Sequence, residues 1–493
     1  LLVAFGLGLG GALASPPAAA TEIRTVSRTV GEGYMVLVPG ADQQLLSRRR
    51  LVQYVNLGVY DLLPAPLGEL RRPYEDGQLR IVTSMRLRHD FGTFLRPGDD
   101  QAANLLQSVD GRQIDLMYGY LEGERLGGHI DLRLGRQFEM SGLDFYALDG
   151  GWVRGHTPAY LAFEVFGGFE VKSAQTLGYP TFELDGTQGT AADRGYSPII
   201  GAAVAADDVE WLEARLAWRR TWSSPPLNTQ LNDDDGTPGL PGGIEQDILS
   251  LSTALRVLEG RFSPHAALRY DLGRARLTDL SAGAQIALSD RHTVRALVLR
   301  ASPRFDLDSI FNVFSFQPIN DARLVYEVKL GSRWTVGARG QGRLLVDDFP
   351  GEGTGDSASD GSSESARATT FRPGYGGGLS AYYRIPRFAM RLDGYGLGGE
   401  GGIRAGGSVD TRTMVAWNRL GLDGRVYGNY YKDDVSGARE GYALALQGGF
   451  NAELFRGVHL AVLGEELLTS YYKHAFRLLA TFSVDWTIRG RQR

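Results

Sequence analysis

Hydrophobic and polar residues alternate along much of this chain, most clearly in its last segment. In residues 475–488 the even positions are apolar and the odd positions are mostly polar, with Leu479 as the exception. The even set is Phe476, Leu478, Ala480, Phe482, Val484, Trp486 and Ile488, and the polar odd set is Arg477, Thr481, Ser483, Asp485 and Thr487. A period of two puts these sets on opposite faces of a β-strand, whereas a helix repeats its apolar positions about every 3.6 residues.

The same two-faced segment recurs many times from about residue 50 onward, in stretches of roughly ten residues. Clear examples are residues 78–90, 114–123, 129–137, 212–219 and 323–339. A series of such segments separated by turn residues is typical of a transmembrane β-barrel.

A water-soluble β-sandwich also alternates, but the connections and the lack of amphipathic helical stretches favour a membrane barrel. Short turns are predicted at 124–128, 156–158, 207–209, 259–261, 332–333 and 386–387, and long polar loops at 172–195, 222–245, 304–320 and 347–371. Outer-membrane barrels have short periplasmic turns and long extracellular loops. Aromatic residues also gather near segment ends, where interfacial girdles lie.

The sequence therefore predicts an all-β protein, a single transmembrane antiparallel β-barrel with about 18 strands, within a range of roughly 16 to 20. The predicted organisation is a signal peptide at residues 1–20, a periplasmic N-terminal lead at 21–48 and the barrel at 49–493.

The apolar first 20 residues end in small residues and begin with Leu1 rather than Met, so a signal peptide truncated at its start is expected. A retained membrane anchor is the alternative, although the apolar run is shorter than the ~20 residues a spanning helix needs. No comparable run follows, which excludes an inner-membrane transporter.

Composition narrows the possible functions. The chain has no cysteine, which excludes disulfides, thiol catalysis and cysteine-ligated zinc. The formal charge of −5 and the absence of a basic tract argue against nucleic acid as a partner. No sequence motif predicts a cofactor or a metal site.

Catalytic residues are not predicted either. His89 lies beside Asp90, and His129 lies two residues before Asp131, but neither pair has a recognisable nucleophile or third orienting group. We therefore expect a protein that is not an enzyme.

Assigning the polar faces to the interior gives a set of charged residues that line the lumen. The set is Arg80, Arg86, Arg88, Arg133, Arg215, Arg219, Arg269, Arg339, Arg343, Arg477, Asp115, Asp131, Glu213, Asp271, Glu327 and Asp485. Arginine keeps its charge under all relevant conditions, so unpaired lumen arginines favour anions. A fully neutralised network instead only braces the wall, and both alternatives remain open at this stage.

One local resemblance is more specific. Residues 135–137, Gly-Arg-Gln, end an amphipathic strand, residues 138–148 are expected to form a loop, and Asp149-Gly150 opens the next strand. Within a chain that resembles large Gram-negative porins, this arrangement is similar to alginate-export and exopolysaccharide-export barrels. The resemblance implies passage of a secreted polysaccharide and a periplasmic export protein as partner.

The predicted function is an outer-membrane channel of a Gram-negative bacterium for hydrophilic, preferably anionic solutes or secreted polysaccharide. The alternatives are a general diffusion porin for small solutes and a structural or adhesion barrel that presents extracellular loops. The predicted partners are outer-membrane lipid and the transported material.

Overall fold

The structure is a computed structural model. It describes residues 22–37, 44–63, 77–91, 114–171, 197–222, 244–301, 319–347, 370–400, 402–415, 419–433, 439–470 and 474–489. The four predicted long loops fall almost entirely outside these ranges.

The described residues form one antiparallel sheet of 22 strands. In chain order the strands are β1 (Glu22–Leu37), β2 (Gln44–Tyr60), β3 (Gln78–Phe91), β4 (Ile114–Leu126), β5 (Ile130–Ser141), β6 (Asp144–His156), β7 (Leu161–Glu170), β8 (Pro198–Ala206), β9 (Leu212–Trp222), β10 (Ile244–Leu255), β11 (Phe262–Asp271), β12 (Arg276–Ala287), β13 (His292–Ala301), β14 (Ile319–Leu330), β15 (Trp334–Asp347), β16 (Thr370–Ile385), β17 (Phe388–Gly399), β18 (Ile403–Val415), β19 (Leu420–Asp433), β20 (Arg439–Phe455), β21 (Val458–Thr469) and β22 (His474–Arg489). Each strand pairs with the next, and β1 also pairs with β22, so the sheet closes into a barrel.

The strand number corrects the sequence prediction, because about 18 strands, and even the upper limit of 20, is too few. One missed strand is β1, which lies inside the segment 21–48 that was expected to be a periplasmic lead. Its ladder with β22 runs from Glu22 opposite Arg489 to Leu37 opposite His474, so this strand belongs to the barrel wall. Alternation did not reveal β1 because its outward positions carry Thr25 and Ser27 rather than large apolar residues.

The two ends of the barrel differ, as predicted. At one end the connections include tight turns such as residues 331–333 and 386–387, and at the other end most of the long connections leave the sheet. Short turns mark the periplasmic end of such barrels and long loops the extracellular end. No helix within the ranges given above is long and apolar enough to cross a membrane.

The two faces of the sheet also differ. The outward face carries exposed large apolar side chains on nearly every strand, for example Leu134 on β5, Leu324 on β14 and Phe482 on β22. The inward face carries the charged residues, many of them buried in ion pairs. With strands about 4.8 Å apart and tilted by about 40°, 22 strands enclose a barrel about 40 Å across between backbones. Such a lumen stays open to water unless protein fills it.

Candidate functional site: a hairpin folded into the barrel

The connection between β5 and β6 is a hairpin whose tip leaves the barrel wall. A tight turn at residues 142–143 joins the two strands, which pair with each other along their full length. On either side the pairing stops earlier, because β4 follows β5 only as far as Arg136 and β7 follows β6 only from Leu148. Residues 137–148, which we call the inward hairpin, are therefore free to depart from the cylinder.

The tip of the inward hairpin rests on the inner face of β10 and β11. A Cβ placed on Gly142 would lie 2.9 Å from the Ser252 Cβ and 3.2 Å from the Ala267 Cβ. From β6 to β10 is four strand spacings, or about 19 Å along the wall. The hairpin can make these contacts only by crossing the inner face of β7 to β9.

Glycines mark the line at which the hairpin bends away from the wall. Gly135 on β5 has a φ of 129°, a conformation that side chains rarely adopt, and it lies opposite Gly150 on β6. A Cβ at Gly135 would collide with the Gly119 carbonyl, and one at Gly150 would collide with the Gly167 carbonyl. Only glycine permits such close backbone approach at a bend.

A buried ion pair holds the tip in place. Arg219 on β9 donates hydrogen bonds to the Asp144 carboxylate at 3.0 and 3.2 Å, and both side chains are about 95% buried or more. The guanidinium of Arg269 on β11 lies 3.7 Å from the same carboxylate. Because β9 and β11 are distant from β6 along the sheet, this pair fixes the hairpin across the lumen rather than along a ladder.

An apolar cluster forms beneath the hairpin. Tyr146 and Leu148 of the inward hairpin pack with Trp152, Phe166 and Ile199 on the inner face of the wall, and all five are buried. The Tyr146 and Phe166 rings stack with centroids 4.9 Å apart. Burying each large apolar side chain contributes about 1.5–3 kcal/mol, so this cluster seats the hairpin independently of the ion pair.

The wall beneath the hairpin is apolar on both faces. β8 reads PIIGAAVAA, and its inward positions, including Ile199 and Ala203, are as buried as a protein core. An inward face that met water would be polar. Its composition matches a strand covered by lipid on one side and by the inward hairpin on the other.

The opposite side of the hairpin faces the remaining lumen. Phe138, Met140 and Phe145 are exposed there, and the Phe138 ring meets the inward Tyr118 ring edge-on at 5.7 Å. The open passage is thus narrowed by an apolar and aromatic edge.

The structure places the predicted lumen residues on the inward face and joins most of them in ion pairs. The arginine pairs are Arg80 with Glu122 and Glu124, Arg86 with Asp115, Arg133 with Glu122 and Glu139, Arg215 with Glu164, Arg219 and Arg269 with Asp144, Arg339 with Asp393, Arg343 with Asp321, and Arg477 with Glu32. The other predicted acids pair as Asp131 with His156, Glu213 with Arg256, Asp271 with Arg274, Glu327 with Arg295, and Asp485 with Arg24. Arg88 is buried on the same face. These pairs brace the wall, because each neutralises the charge of its partner.

Two inward arginines that the sequence analysis did not predict lie on the part of the wall that the hairpin does not cover. We call the inward face of β14 to β19 the uncovered wall. Arg391 on β17 and Arg404 on β18 are exposed on the inward face, and neither makes an ion pair among the described residues. Asp410, opposite Arg391 in the ladder, is bound instead by Arg425. The only sequence signal for these two arginines was their polar position in strands whose alternation is weakened by glycine.

The carboxylate of Asp321 on β14 adds to this imbalance. It accepts hydrogen bonds from both Arg323 and Arg343, each at 3.0 Å, so two cations share one anion. The uncovered wall therefore carries more positive than negative charge.

A second charged cluster lies at the periplasmic end of the covered wall. The two ring nitrogens of His156 lie 2.7 Å from carboxylate oxygens of Asp131 and Asp207, and Arg154 also binds Asp207. Burial raises the pKa of Asp207, but the hydrogen bonds and charges of His156 and Arg154 outweigh it and hold that pKa below its usual value. The cluster joins β5, β6 and the turn after β8, and thereby fixes the periplasmic ends of the two strands from which the inward hairpin extends.

Comparison with known proteins gives similar solved barrels. A BenF-like porin from Pseudomonas fluorescens Pf-5 has a TM-score of 0.41 and 9% sequence identity, with 94% of this chain and 99% of the porin covered. Pseudomonas aeruginosa OpdK, solved with vanillate, has a TM-score of 0.42 and 10% identity, with 94% and 99% covered. Acinetobacter baumannii OccAB1 has a TM-score of 0.44 and 8% identity, with 95% and 97% covered. No protein-family model matches the chain, and no curated protein matches it.

The closed barrel with its apolar outward face confirms the prediction of a porin-type protein of the outer membrane. The finer resemblance to alginate-export barrels finds no support, nor does a polysaccharide cargo or a periplasmic export partner. Residues 138–148, expected to be a loop, form the two strands and tight turn of the inward hairpin. Arg136 and Asp149, the residues of the resemblance, form an ion pair with a 2.6 Å contact between those strands.

Proposed function

We propose that the protein is a passive channel for small hydrophilic solutes that favours anions, with the inward hairpin as its constriction. This function needs transport through the lumen and no catalytic group. Most of the 16 charged residues predicted from sequence are then ion-paired and brace the wall, whereas the cationic surface beside the passage is formed by Arg391 and Arg404, which are outside that set.

The observation that carries the anion preference is the charge of the uncovered wall. Arg391 lies near the periplasmic end of β17 and Arg404 near the extracellular end of β18, and both are exposed without an acidic partner among the described residues. A permanent positive charge at two heights of the wall attracts anions along the passage.

The inward hairpin supports a channel that selects solutes rather than a general diffusion porin or an adhesion barrel. Its tip contacts Ser252 on β10, so the hairpin covers the inner face of β7 to β9 in a lumen about 40 Å across. A structural or adhesion barrel does not require a constricted lumen, so the ion pair and the apolar cluster that hold the hairpin inside the lumen support a channel.

Ion selectivity in planar bilayers tests this proposal. In a salt gradient, the reversal potential of the wild-type channel is expected to show a higher permeability for chloride than for potassium. Replacing both unpaired arginines, as Arg391→Gln with Arg404→Gln, is expected to move the permeability ratio toward one. The effect is expected to shrink at high salt, because exposed charges are screened over about 10 Å at 0.1 M ionic strength.

The matched control removes a pair instead of a net charge. Arg412 and Asp423 bind each other on the same face of β18 and β19, so the variant Arg412→Gln with Asp423→Asn leaves the net charge of the wall unchanged. Its selectivity is expected to equal that of the wild type. No measurable current, or a preference for cations, would overturn the proposal, and an unselective current that ignores Arg391 and Arg404 would identify a general diffusion porin.

Residues 1–20 are proposed as the export leader of this channel, on their composition alone. The mass of the mature protein extracted from outer membranes tests this, since cleavage at this leader gives a chain that begins close to residue 21. A mature chain that retains residues 1–20 would contradict it.

A further inference from the structure

The periplasmic end of the uncovered wall carries a row of positive charges. Lys329 on β14, Arg384 on β16 and Arg391 on β17 are exposed on the inward face. Arg333, which is also exposed, continues that face just before β15. The four side chains thus belong to four neighbouring strands. We call this row the cationic mouth.

Strand register brings neighbouring members of the cationic mouth close together. The ladder between β15 and β16 places Arg333 directly opposite Arg384, and the Arg384 backbone donates a hydrogen bond to the Arg333 carbonyl at 2.9 Å. Lys329 is the diagonal neighbour of Arg333, and Arg391 is the diagonal neighbour of Arg384. Directly opposite Cβ atoms are about 5 Å apart and diagonal ones about 7–8 Å, so one small ligand can contact two or three of these cations.

The positive charge of the cationic mouth is not neutralised by the wall around it. None of its four members forms an ion pair within the ranges that the structure describes. The acids on adjoining inward positions are each bound by another arginine. These pairs are Glu327 with Arg295, Asp393 with Arg339, and Asp410 with Arg425.

Arg333 and Arg384 repel each other, because like charges directly opposite each other in a sheet are destabilising. An anion bound between them removes this repulsion. Each guanidinium can donate two parallel hydrogen bonds to a carboxylate or a phosphate group. Tyr382, directly opposite Arg391, is exposed on the same face and adds a hydroxyl that can donate to the same anion.

We propose that the cationic mouth binds small anions that carry two or more negative charges, such as organic phosphates and dicarboxylates, at the periplasmic end of the passage. The number of charges selects this class, because a monovalent anion neutralises one of the four cations, whereas a multivalent anion bridges two or more. A permeating solute fits better than an acidic protein, because Arg391 and Tyr382 lie deeper in the lumen than Arg384. The site rests on the proposed function, since such a solute reaches it through the lumen.

Block of the chloride current by pyrophosphate in planar bilayers tests the site. At matched ionic strength, pyrophosphate is expected to reduce the wild-type current at a lower concentration than acetate does, and more strongly from the periplasmic side. The variant Arg333→Gln with Arg384→Gln is expected to need about tenfold more pyrophosphate for the same block, because two exposed charge contacts are lost. Its preference for chloride over potassium is expected to remain, because Arg391 and Arg404 are unchanged.

The matched control removes the same amount of charge from the same rim. Arg261 and Arg456 are exposed on the turns between β10 and β11 and between β20 and β21, and neither has an ion-pair partner in the described part of the chain. Arg261→Gln with Arg456→Gln is expected to keep the wild-type block. Arg333→Lys with Arg384→Lys keeps both charges and is expected to recover most of the block, which separates anion binding from a role in folding.

Three results would overturn the proposal and leave the proposed function intact. Equal block by pyrophosphate and acetate would remove selection by the number of charges. Unchanged block in the double glutamine variant of Arg333 and Arg384, or equally weakened block in the control, would remove the cationic mouth as the site. Block by an oligoglutamate peptide without any block by pyrophosphate would identify a docking surface for an acidic protein. A wild-type channel without a preference for chloride would instead contradict the proposed function, and this site with it.

Discussion

At the scale of single residues, the ion pair between Asp144 and Arg219 holds the tip of the inward hairpin against the wall, in addition to the apolar cluster that seats the rest of the hairpin. Both side chains are removed from water, and Asp144 belongs to the hairpin while Arg219 belongs to β9. Removing one partner of a buried pair leaves an uncompensated charge and costs about 3–5 kcal/mol, whereas the same change in an exposed pair costs less than about 1 kcal/mol.

We therefore predict that Asp144→Asn releases the tip of the hairpin from the wall, while the apolar cluster around Tyr146 and Leu148 keeps the rest of the hairpin seated. Arg219 then keeps its hydrogen bond to the Gln246 side-chain oxygen at 3.1 Å, but Glu170, at 3.9 Å, is the only carboxylate that remains near it among the described residues, so its buried charge is poorly compensated. Single-channel recordings are expected to show a larger and noisier conductance than the wild type. Asp208→Asn, which breaks an exposed pair with Arg125, is the control and is expected to leave the conductance unchanged. An Asp144→Asn channel with wild-type conductance would show that the apolar cluster alone suffices.

The lowered pKa of Asp207 predicts how the stability of the barrel depends on pH. Its pKa is lower in the folded barrel than the ~3.9 of a free aspartate. Its stabilising contribution is therefore present above about pH 4 and is lost as pH falls through the folded pKa. Between pH 7 and pH 3, the temperature at which the unboiled gel band converts to the unfolded form is expected to fall less in Asp207→Asn than in the wild type. Asp208→Asn should keep the full wild-type fall, and an equal fall in all three proteins would refute the assignment.

At the scale of elements, the inward hairpin is best tested by a covalent bond across the lumen. The chain has no cysteine, so any disulfide in a double variant is the engineered one. Gly142→Cys with Ala267→Cys is expected to cross-link, because the two Cβ positions lie 3.2 Å apart, close to the about 3.5–4.5 Å of a disulfide. Gly142 has a φ of 58°, so the cysteine there costs about 1–2 kcal/mol.

The product of this cross-link is read by mass and by mobility on a non-reducing gel. The control pairs Gly142→Cys with Ser408→Cys, which lies on the inward face of the uncovered wall, and it is expected to stay reduced. Cross-linking of the control but not of the first variant would mean that the hairpin lies elsewhere. The expected conductance of the cross-linked channel equals that of the wild type, because the bond only fixes the contact already present.

Alternation predicted most strands correctly where one face meets lipid and the other meets charge, as in β14 and β22. It failed where that contrast is absent, as in β1 with its outward Thr25. The sequence contains one indication of the hairpin. Trp152 and Phe166 occupy inward positions, at which polar residues are expected if the lumen face meets water. The inward direction of Arg86 and Asp115 was predictable from period two, but their pairing depends on strand register, which a one-residue shift would change.

At the scale of the whole molecule, closure of the barrel depends on a strand that sequence patterning assigned to a lead. Every residue of β1 from Glu22 to Leu37 has a partner on β22, and β2 pairs along the other edge. An open barrel would expose the unpaired backbone groups of two edge strands to hydrocarbon, where each group costs several kcal/mol. Such a barrel is therefore not stable in a membrane. β1 is therefore as necessary as any strand in the middle of the chain.

Deleting residues 22–37 is predicted to abolish folding into vesicles. The remaining 21 strands end in β2 and β22, which both run from the extracellular to the periplasmic end, so closure would require a parallel pair in place of an antiparallel one. After refolding with lipid, the deletion variant is expected to lack the heat-modifiable gel band. Arg24→Gln, which removes only an exposed ion pair with Asp485, is expected to keep that band, because solvent screens such a pair and it contributes little to stability. A heat-modifiable, protease-resistant deletion variant would show that β1 is an addition to the barrel rather than the strand that closes it.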